Sequence, residues 1–238
     1  ETERVVGFQE KPDDPKPVPD DPNTALASMG IYVFSTNDLV RMLSEDARTQ
    51  SDHDFGKNII PAMVQREMGV YAHRFRDPHT GDRGYWRDIG TLDSFFEANM
   101  ELLSPEPPFN LYDPDWPVHT KVGAYPPAKT VHDIEAEGRV GMATQSFMAP
   151  GSIVSGGRVK RSILSPRVRV NSYSLVEDSL LFSNVNVGRN AKIRRAIVDK
   201  HVVIPPGYEI GYDAEQDRKR FTVTENGIVV VRKGMVLE

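Results

Sequence analysis

The sequence predicts an α/β layer over residues 1–103 and a β-helix of hexapeptide repeats over 139–238, joined by a connector at 104–138. Three observations predict this. Short apolar strands alternate with amphipathic helices in the first region. Seven prolines punctuate the connector, at positions 105, 107, 108, 114, 117, 126 and 127. Apolar residues then recur every six positions through most of the remainder.

In the first region, Ala27–Phe34 (Ala-Ser-Met-Gly-Ile-Tyr-Val-Phe) reads as a buried strand, β-branched and aromatic between polar loops. Thr36–Leu43 reads as a helix with Thr36 or Asn37 as its cap and Leu39, Val40 and Leu43 on one face. Ile59–Arg66 is a second helix, with Pro61 tolerable in its first turn. Thr91–Leu103 is a third, with Leu92, Phe95, Phe96, Asn99 and Leu102 on one side. The connector carries Tyr112, Trp116 and Tyr125 among its prolines and reads as chain draped over a surface rather than a loose linker.

The six-residue period runs in four sets: Phe147, Ile153, Val159; Leu164, Val170, Val176, Phe182; Val187, Ile193; and Val198, Ile204, Ile210. Phase slips by one residue between sets, and small or turn-forming residues lie between the apolar positions. Each repeat supplies one short strand and one turn, and the apolar residue points inward. The strand Gly227–Arg232 is placed to cap the open end.

Bulk numbers narrow the function. With 29 basic against 34 acidic residues the net charge is −5, which gives no reason to expect nucleic acid as the main partner. The chain has no cysteine, so disulfides and thiolate metal sites are excluded and a reducing compartment is permitted. No apolar run approaches the roughly 18–20 residues of a membrane helix, and no signal-peptide pattern opens the chain. The opening Glu1-Thr-Glu-Arg-Val-Val lacks a methionine and runs straight toward a strand, so the polypeptide is expected to begin upstream.

Four constellations could carry chemistry. In Gly7-Phe-Gln-Glu-Lys-Pro12, the proline favours an extended Lys11, whose compact charge suits a phosphate; the plain alternative is a solvated Glu10–Lys11 pair. Ser28 and Tyr32 could hydrogen-bond a ligand or be ordinary strand residues. In His53-Asp-Phe-Gly-Lys-Asn58, Asp54 could cap the next helix or accept bonds from sugar hydroxyls, and Gly56 would tighten the turn. In Tyr85-Trp-Arg-Asp-Ile-Gly-Thr91, Asp88 could hold a Mg²⁺ that also binds substrate phosphates, or serve as a cap. From Arg158 to Arg195 nine Lys or Arg face only Glu177 and Asp178, a local net of +7 that suits an anion or a solvated face equally.

Taken in order, these motifs, with Pro126-Pro-Ala-Lys129, Val168-Arg-Val-Asn-Ser172 and Glu225-Asn-Gly-Ile-Val229, closely resemble bacterial glucose-1-phosphate adenylyltransferase (ADP-glucose pyrophosphorylase). The likeness runs along essentially the whole chain. It implies the C-terminal portion of a Rossmann-like nucleotidyltransferase domain followed by a left-handed β-helix, in a cytoplasmic homotetramer. The implied reaction is ATP plus glucose 1-phosphate giving ADP-glucose and pyrophosphate, the committed step toward glycogen.

By the same resemblance, Lys11 holds the phosphate of glucose 1-phosphate and Glu10 binds the sugar. Ser28 contacts the phosphate; Tyr32, Asp54, Phe55 and Trp86 line the pocket. Asp88 helps hold the catalytic Mg²⁺. Lys200 and Lys233 fall at effector-binding positions for phosphorylated metabolites, AMP or phosphate, while Glu238 stands where some relatives carry an arginine. The family's glycine-rich ATP loop and its second metal carboxylate have no counterpart here. Alternatives are a non-catalytic regulatory or remnant subunit and another sugar-1-phosphate nucleotidyltransferase. A hexapeptide acyltransferase would need a β-helix histidine; His201 is the only one there, with no evident supporting acid.

Overall fold

The computed structural model describes residues 3–18, 21–77, 79–120 and 123–238. The chain forms two compact units, Glu1–Trp86 and Arg87–Glu238.

The first unit is built on a small apolar core. Helix α1 (Thr36–Asp46) is capped by Ser35, not by Thr36 or Asn37: the Ser35 side chain accepts from the Asp38 amide. A π-helical turn, Phe55–Ile59, leads into α2 (Ile60–Gln65), with Pro61 in the first turn where its missing N–H costs nothing. The helical stretch begins earlier than Ile59 because Asp54 caps it, Oδ1 accepting from the Lys57 amide at 2.9 Å. Met42, Ile59, Ile60 and Met63 are buried together, and Phe8, Tyr32, Phe34 and Phe55 pack against them. The leading segment is tied down by Val5 N–H to Val70 O (2.8 Å) and Ala72 N–H to Glu3 O (2.7 Å).

The expected buried strand Ala27–Phe34 departs from expectation. It joins no ladder among the described residues, and Ile31 and Val33 are 73% and 98% exposed. Tyr32 and Phe34, on the other side of the same alternation, face the core. The segment keeps the two-residue period of a strand with one side packed and the other bare.

The second unit is a three-sided parallel β-solenoid. One sheet stacks Lys129–Val131, Ile153–Ser155, Arg169–Val170, Asn186–Val187 and Val203–Ile204. Another stacks Met142–Thr144, Arg158–Lys160, Leu175–Glu177, Lys192–Arg194 and Glu209–Ile210. The third stacks Phe147–Met148, Ile163–Leu164, Leu180–Leu181, Ala196–Val198 and Val229–Val231, closed by the antiparallel Thr222–Val223. Val176 pairs with Val159 on one side and Ile193 on the other, so like stacks on like.

Corners are made by residues in left-handed backbone: Arg161, Arg167, Tyr173, Asp178, Asn184, Asn190, Arg195 and His201 among them. Each such non-glycine corner costs on the order of 1–2 kcal/mol. Coil-to-coil hydrogen bonds offset that cost. The corner amides of Asp178, Arg195 and His201 donate to Lys160 O, Glu177 O and Ser183 O at 3.1–3.2 Å. Buried Ser162 and Ser179 extend the ladder, each Oγ donating to a carbonyl of its own coil and accepting an amide from the next.

The inward register corrects three expected positions. Val154 and Leu181 are fully buried and Met148 packs on the core, where Phe147, Ile153 and Phe182 were expected. Five-residue steps therefore fall between Val154 and Val159 and between Val176 and Leu181. Phe182 points outward and stacks on Phe95 of α3 (Leu92–Glu101) at 6.3 Å. Helix α3 is capped reciprocally by Thr91 and Ser94, and its Phe96 is buried with Leu180, Ile197 and Ile228 on the outside of the third sheet. Leu92, assigned to that face, is 44% exposed. The connector does lie along the solenoid: Tyr112 meets Phe147 edge-on at 6.2 Å, and Gly151 N–H donates to Pro126 O. Its residues 121 and 122 fall outside the described ones. The closing segment folds as α4 (Ala214–Arg220), capped by Asp213, and then the capping strand.

Val176 is wholly buried between coils. Val176→Asp should cost several kcal/mol by burying an unpaired charge and remove the solenoid's cooperative melting transition. A variant that melts as the wild type does would contradict this register.

Candidate functional site

The first unit draws most of the candidate residues into one cluster. Phe8 packs on the core, and Glu10 follows two residues later at the bend of the chain. Glu10 reaches the turn at Gly56 so closely that a Cβ there would sit 2.3 Å from Glu10 Oε2 and 3.3 Å from Asp54 Oδ1. Gly56 therefore does more than tighten a turn: it makes room for the Glu10 carboxylate beside that of Asp54. Lys11 Nζ lies 3.8 Å from Glu10 Oε1 and is 91% exposed. Lys11 is not extended as the following proline led one to expect. Its φ is +44°, because the chain bends at Glu10–Lys11.

Aromatic rings form a platform beside this charged turn. Tyr32 stacks on Phe55 at 5.8 Å and 24°, and Phe34 touches both at 6.1 and 5.7 Å. Ser28 Oγ and the Tyr32 hydroxyl are 2.9 Å apart, and Gly30 N–H donates to Ser28 Oγ. Contacts thus run from Ser28 through Tyr32 and Phe55 to Asp54, Gly56, Glu10 and Lys11. Trp86 is half-exposed at the end of this unit. Asp88 belongs to the second unit, where its Oδ1 accepts from Gly90 N–H at 2.9 Å. The cap beside it is Thr91, so Asp88 is not the helix cap.

Three members of this region were missed in the sequence. Phe34 completes the platform. Lys57 Nζ donates to Asp52 Oδ2 at 2.9 Å, and its pKa is raised above the ordinary 10.5, first by Asp52 and then by Asp54 and Glu10. Asp46 binds His53 and Ser51, and its carboxyl is held below 3.8, first by His53. The available signal for Lys57 was its place between carboxylates in the quoted motif; Asp46 gave none, lying seven residues before its partner.

In the second unit, parallel pairing sets Val198 beside Val231, so Lys200 and Lys233 each follow by two residues in the turns that succeed these adjacent strands. Both are exposed. The basic run is not one bare face. Arg161 pairs with Asp178 at 2.7 Å, Lys192 with Glu209 at 2.9 Å, and Arg195 donates to Asn226 O. Arg194 lies over Tyr212, and Arg167 and Arg189 over Tyr125 and Tyr173. Among the described residues, no three His, Asp or Glu gather to hold a metal unaided, and no helix is long and apolar enough to cross a membrane.

An acidic-and-aromatic cluster on one unit and a hexapeptide solenoid on the next define a class. Residues 1–105 match the Nucleotidyl transferase family and residues 126–231 the GlmU-like C-terminal hexapeptide family. The chain is 54% identical, over 99% of its length, to a glucose-1-phosphate adenylyltransferase of Anaeromyxobacter sp., covering 59% of that protein. To the enzymes of that name from Geobacter metallireducens and Rhodopirellula baltica it is 53% and 50% identical, over 96% and 98% of its length, covering 56% and 53% of theirs. The chain is thus similar, along nearly its whole length, to glucose-1-phosphate adenylyltransferases, and it spans somewhat over half the length of these relatives.

Asp46 and Asp52 both have carboxyls depressed below 3.8, by His53 and Lys57 respectively. Their contribution to stability is therefore complete above that value and lost as pH falls through the lower folded pKa. Carboxyl ¹³C titration should place both midpoints below 3.8. Midpoints at or above it would mean the two contacts do not persist in solution.

Proposed function

We propose that the protein containing this chain transfers the adenylyl group of ATP to glucose 1-phosphate, releasing pyrophosphate and forming ADP-glucose for glycogen synthesis. The convergence of Glu10, Lys11, Ser28, Tyr32, Asp54 and Phe55 in one cluster carries the reading. These residues suit a sugar phosphate. Lys11, exposed and paired with Glu10, offers its ammonium to the phosphate. Glu10 and Asp54 present carboxylate oxygens to sugar hydroxyls, and the Tyr32–Phe55 pair offers a flat apolar surface to the sugar ring. Ser28 adds a hydroxyl beside the phosphate, and Trp86 is proposed to close the pocket.

The sugar phosphate oxygen attacks the α-phosphorus of ATP. The bond from that phosphorus to the bridging oxygen breaks, and pyrophosphate leaves with the electron pair. No proton needs to move, so the protein's task is alignment and charge neutralisation. Lys11 holds the nucleophilic phosphate in place. Mg²⁺ is bound in such sites by one or two carboxylates together with substrate phosphates, and Asp88 fits as one of those carboxylates. Bound there, the ion would neutralise the triphosphate. The loop that cradles ATP is assigned to the portion of the relatives that this chain does not span.

The resemblance adds a cytoplasmic homotetramer with phosphorylated-metabolite, AMP or phosphate effectors. Lys200 and Lys233, emerging from adjacent coils, are proposed to bind their anionic groups.

In the complete enzyme, Lys11→Ala should raise the KM for glucose 1-phosphate by about tenfold or more, the scale of a lost charge-assisted bond, with little change in the KM for ATP. Asp88→Asn should instead depress kcat and shift the Mg²⁺ dependence. Equal effects of Lys11→Ala on both substrates, or full activity of Asp88→Asn at saturating Mg²⁺, would reject these roles.

A further inference from the structure

Asp46 occupies a position that stability alone disfavours. It is the last residue of α1, whose final turn carries no basic residue, and a carboxylate at a helix C-terminus opposes the helix dipole. Yet its side chain is 14% exposed and fully engaged. Oδ1 accepts from Ser51 Oγ at 2.8 Å, and Oδ2 lies 2.7 Å from His53 Nδ1. Ser51 Oγ in turn accepts the His53 amide at 3.1 Å. Two bonds therefore fasten residues 51–53 to the end of a helix anchored in the core through buried Met42, and the third braces the loop internally.

The fastened residue is also strained. His53 has φ +54°, a left-handed conformation that a non-glycine residue adopts at a cost. Its neighbour in the chain is Asp54, which caps the π-turn through Lys57 N–H, and beyond it lie Phe55 of the aromatic platform and Gly56 against Glu10. The direction in which Asp54 and Phe55 leave the loop is set by the backbone of His53, which Asp46 holds.

We propose that Asp46 is a positioning residue for the sugar-phosphate pocket, acting through Ser51 and His53 to aim Asp54 and Phe55. This rests on the pocket assigned under the proposed function. Asp46 and His53 touch no substrate in this account. They fix the geometry of groups that do, so their loss should appear in the affinity for the sugar phosphate and not in the handling of ATP.

The test compares Asp46→Ala, His53→Ala, His53→Gly and His53→Asn in the complete enzyme, with Lys11→Ala as reference. KM for glucose 1-phosphate, KM for ATP, kcat and Tm are read for each. Asp46→Ala and His53→Ala should raise the KM for glucose 1-phosphate by about tenfold, the scale of a lost charged hydrogen bond, with kcat and the KM for ATP changed less than about twofold. Asparagine tolerates left-handed backbone and can donate to Asp46, so His53→Asn should restore most of the affinity. Glycine relieves the backbone but has no donor, so His53→Gly should stay impaired.

An unchanged KM in Asp46→Ala overturns the proposal, as does a parallel rise for both substrates with a lowered Tm. Rescue by glycine equal to that by asparagine also overturns it, because only backbone strain would then matter. If Asp46→Ala does not fold, the glycine and asparagine variants decide. If Lys11→Ala leaves the KM for glucose 1-phosphate unchanged, the pocket assignment itself fails. If Lys11→Ala raises it while Asp46→Ala does not, only the positioning role fails.

Discussion

The second unit depends on one constraint: each coil must place its residues directly over those of the coil before. Parallel pairing enforces this along the strands, as in Val159–Val176–Ile193. At the corners it is enforced by left-handed residues whose amides reach the neighbouring coil. Satisfying backbone groups at every corner offsets the strain of non-glycine residues there. Everything else on the solenoid follows from the register. It stacks Ile163, Leu180 and Ile197 into an apolar outer strip that α3 covers, and sets the turns carrying Lys200 and Lys233 after adjacent strands.

The first unit works at shorter range. Its core is small, and its charged and aromatic cluster is held by local devices: a capping aspartate, a glycine that admits a carboxylate, three contacting rings, and a helix-end carboxylate gripping a strained loop. Burial on one side and polar capping on the other leave Glu10, Asp54 and Lys11 gathered in one turn region. The ligand proposed for it, a sugar phosphate, is apolar on a face, polyhydroxylated at its edge and anionic at one end.

The sequence made the solenoid visible because its period is a local property. It did not settle which of two adjacent apolar residues faces inward. At Phe147–Met148 and Leu181–Phe182 both are apolar, since the outer face of the third sheet is itself covered by ring contacts from Tyr112 and Phe95. Hydrophobicity marks burial without saying against what. The same limit applies to Ala27–Phe34: composition announced a strand, but pairing needs a partner that pattern cannot supply. In the first unit, the sequence motifs contained the residues proposed to face the ligand, whereas Asp46 lay outside them. Its role arises from a loop closure between residues 46 and 53 that no periodicity encodes.

The central claim is that the segments around Glu10, Ser28 and Asp54 form one pocket for a sugar phosphate. Hydrogen–deuterium exchange of the complete enzyme with and without glucose 1-phosphate tests it most directly. The account predicts concerted protection of peptides covering residues 7–12, 27–34 and 51–58, abolished by Lys11→Ala. Protection confined to the solenoid, or to only one of the three segments, would contradict it.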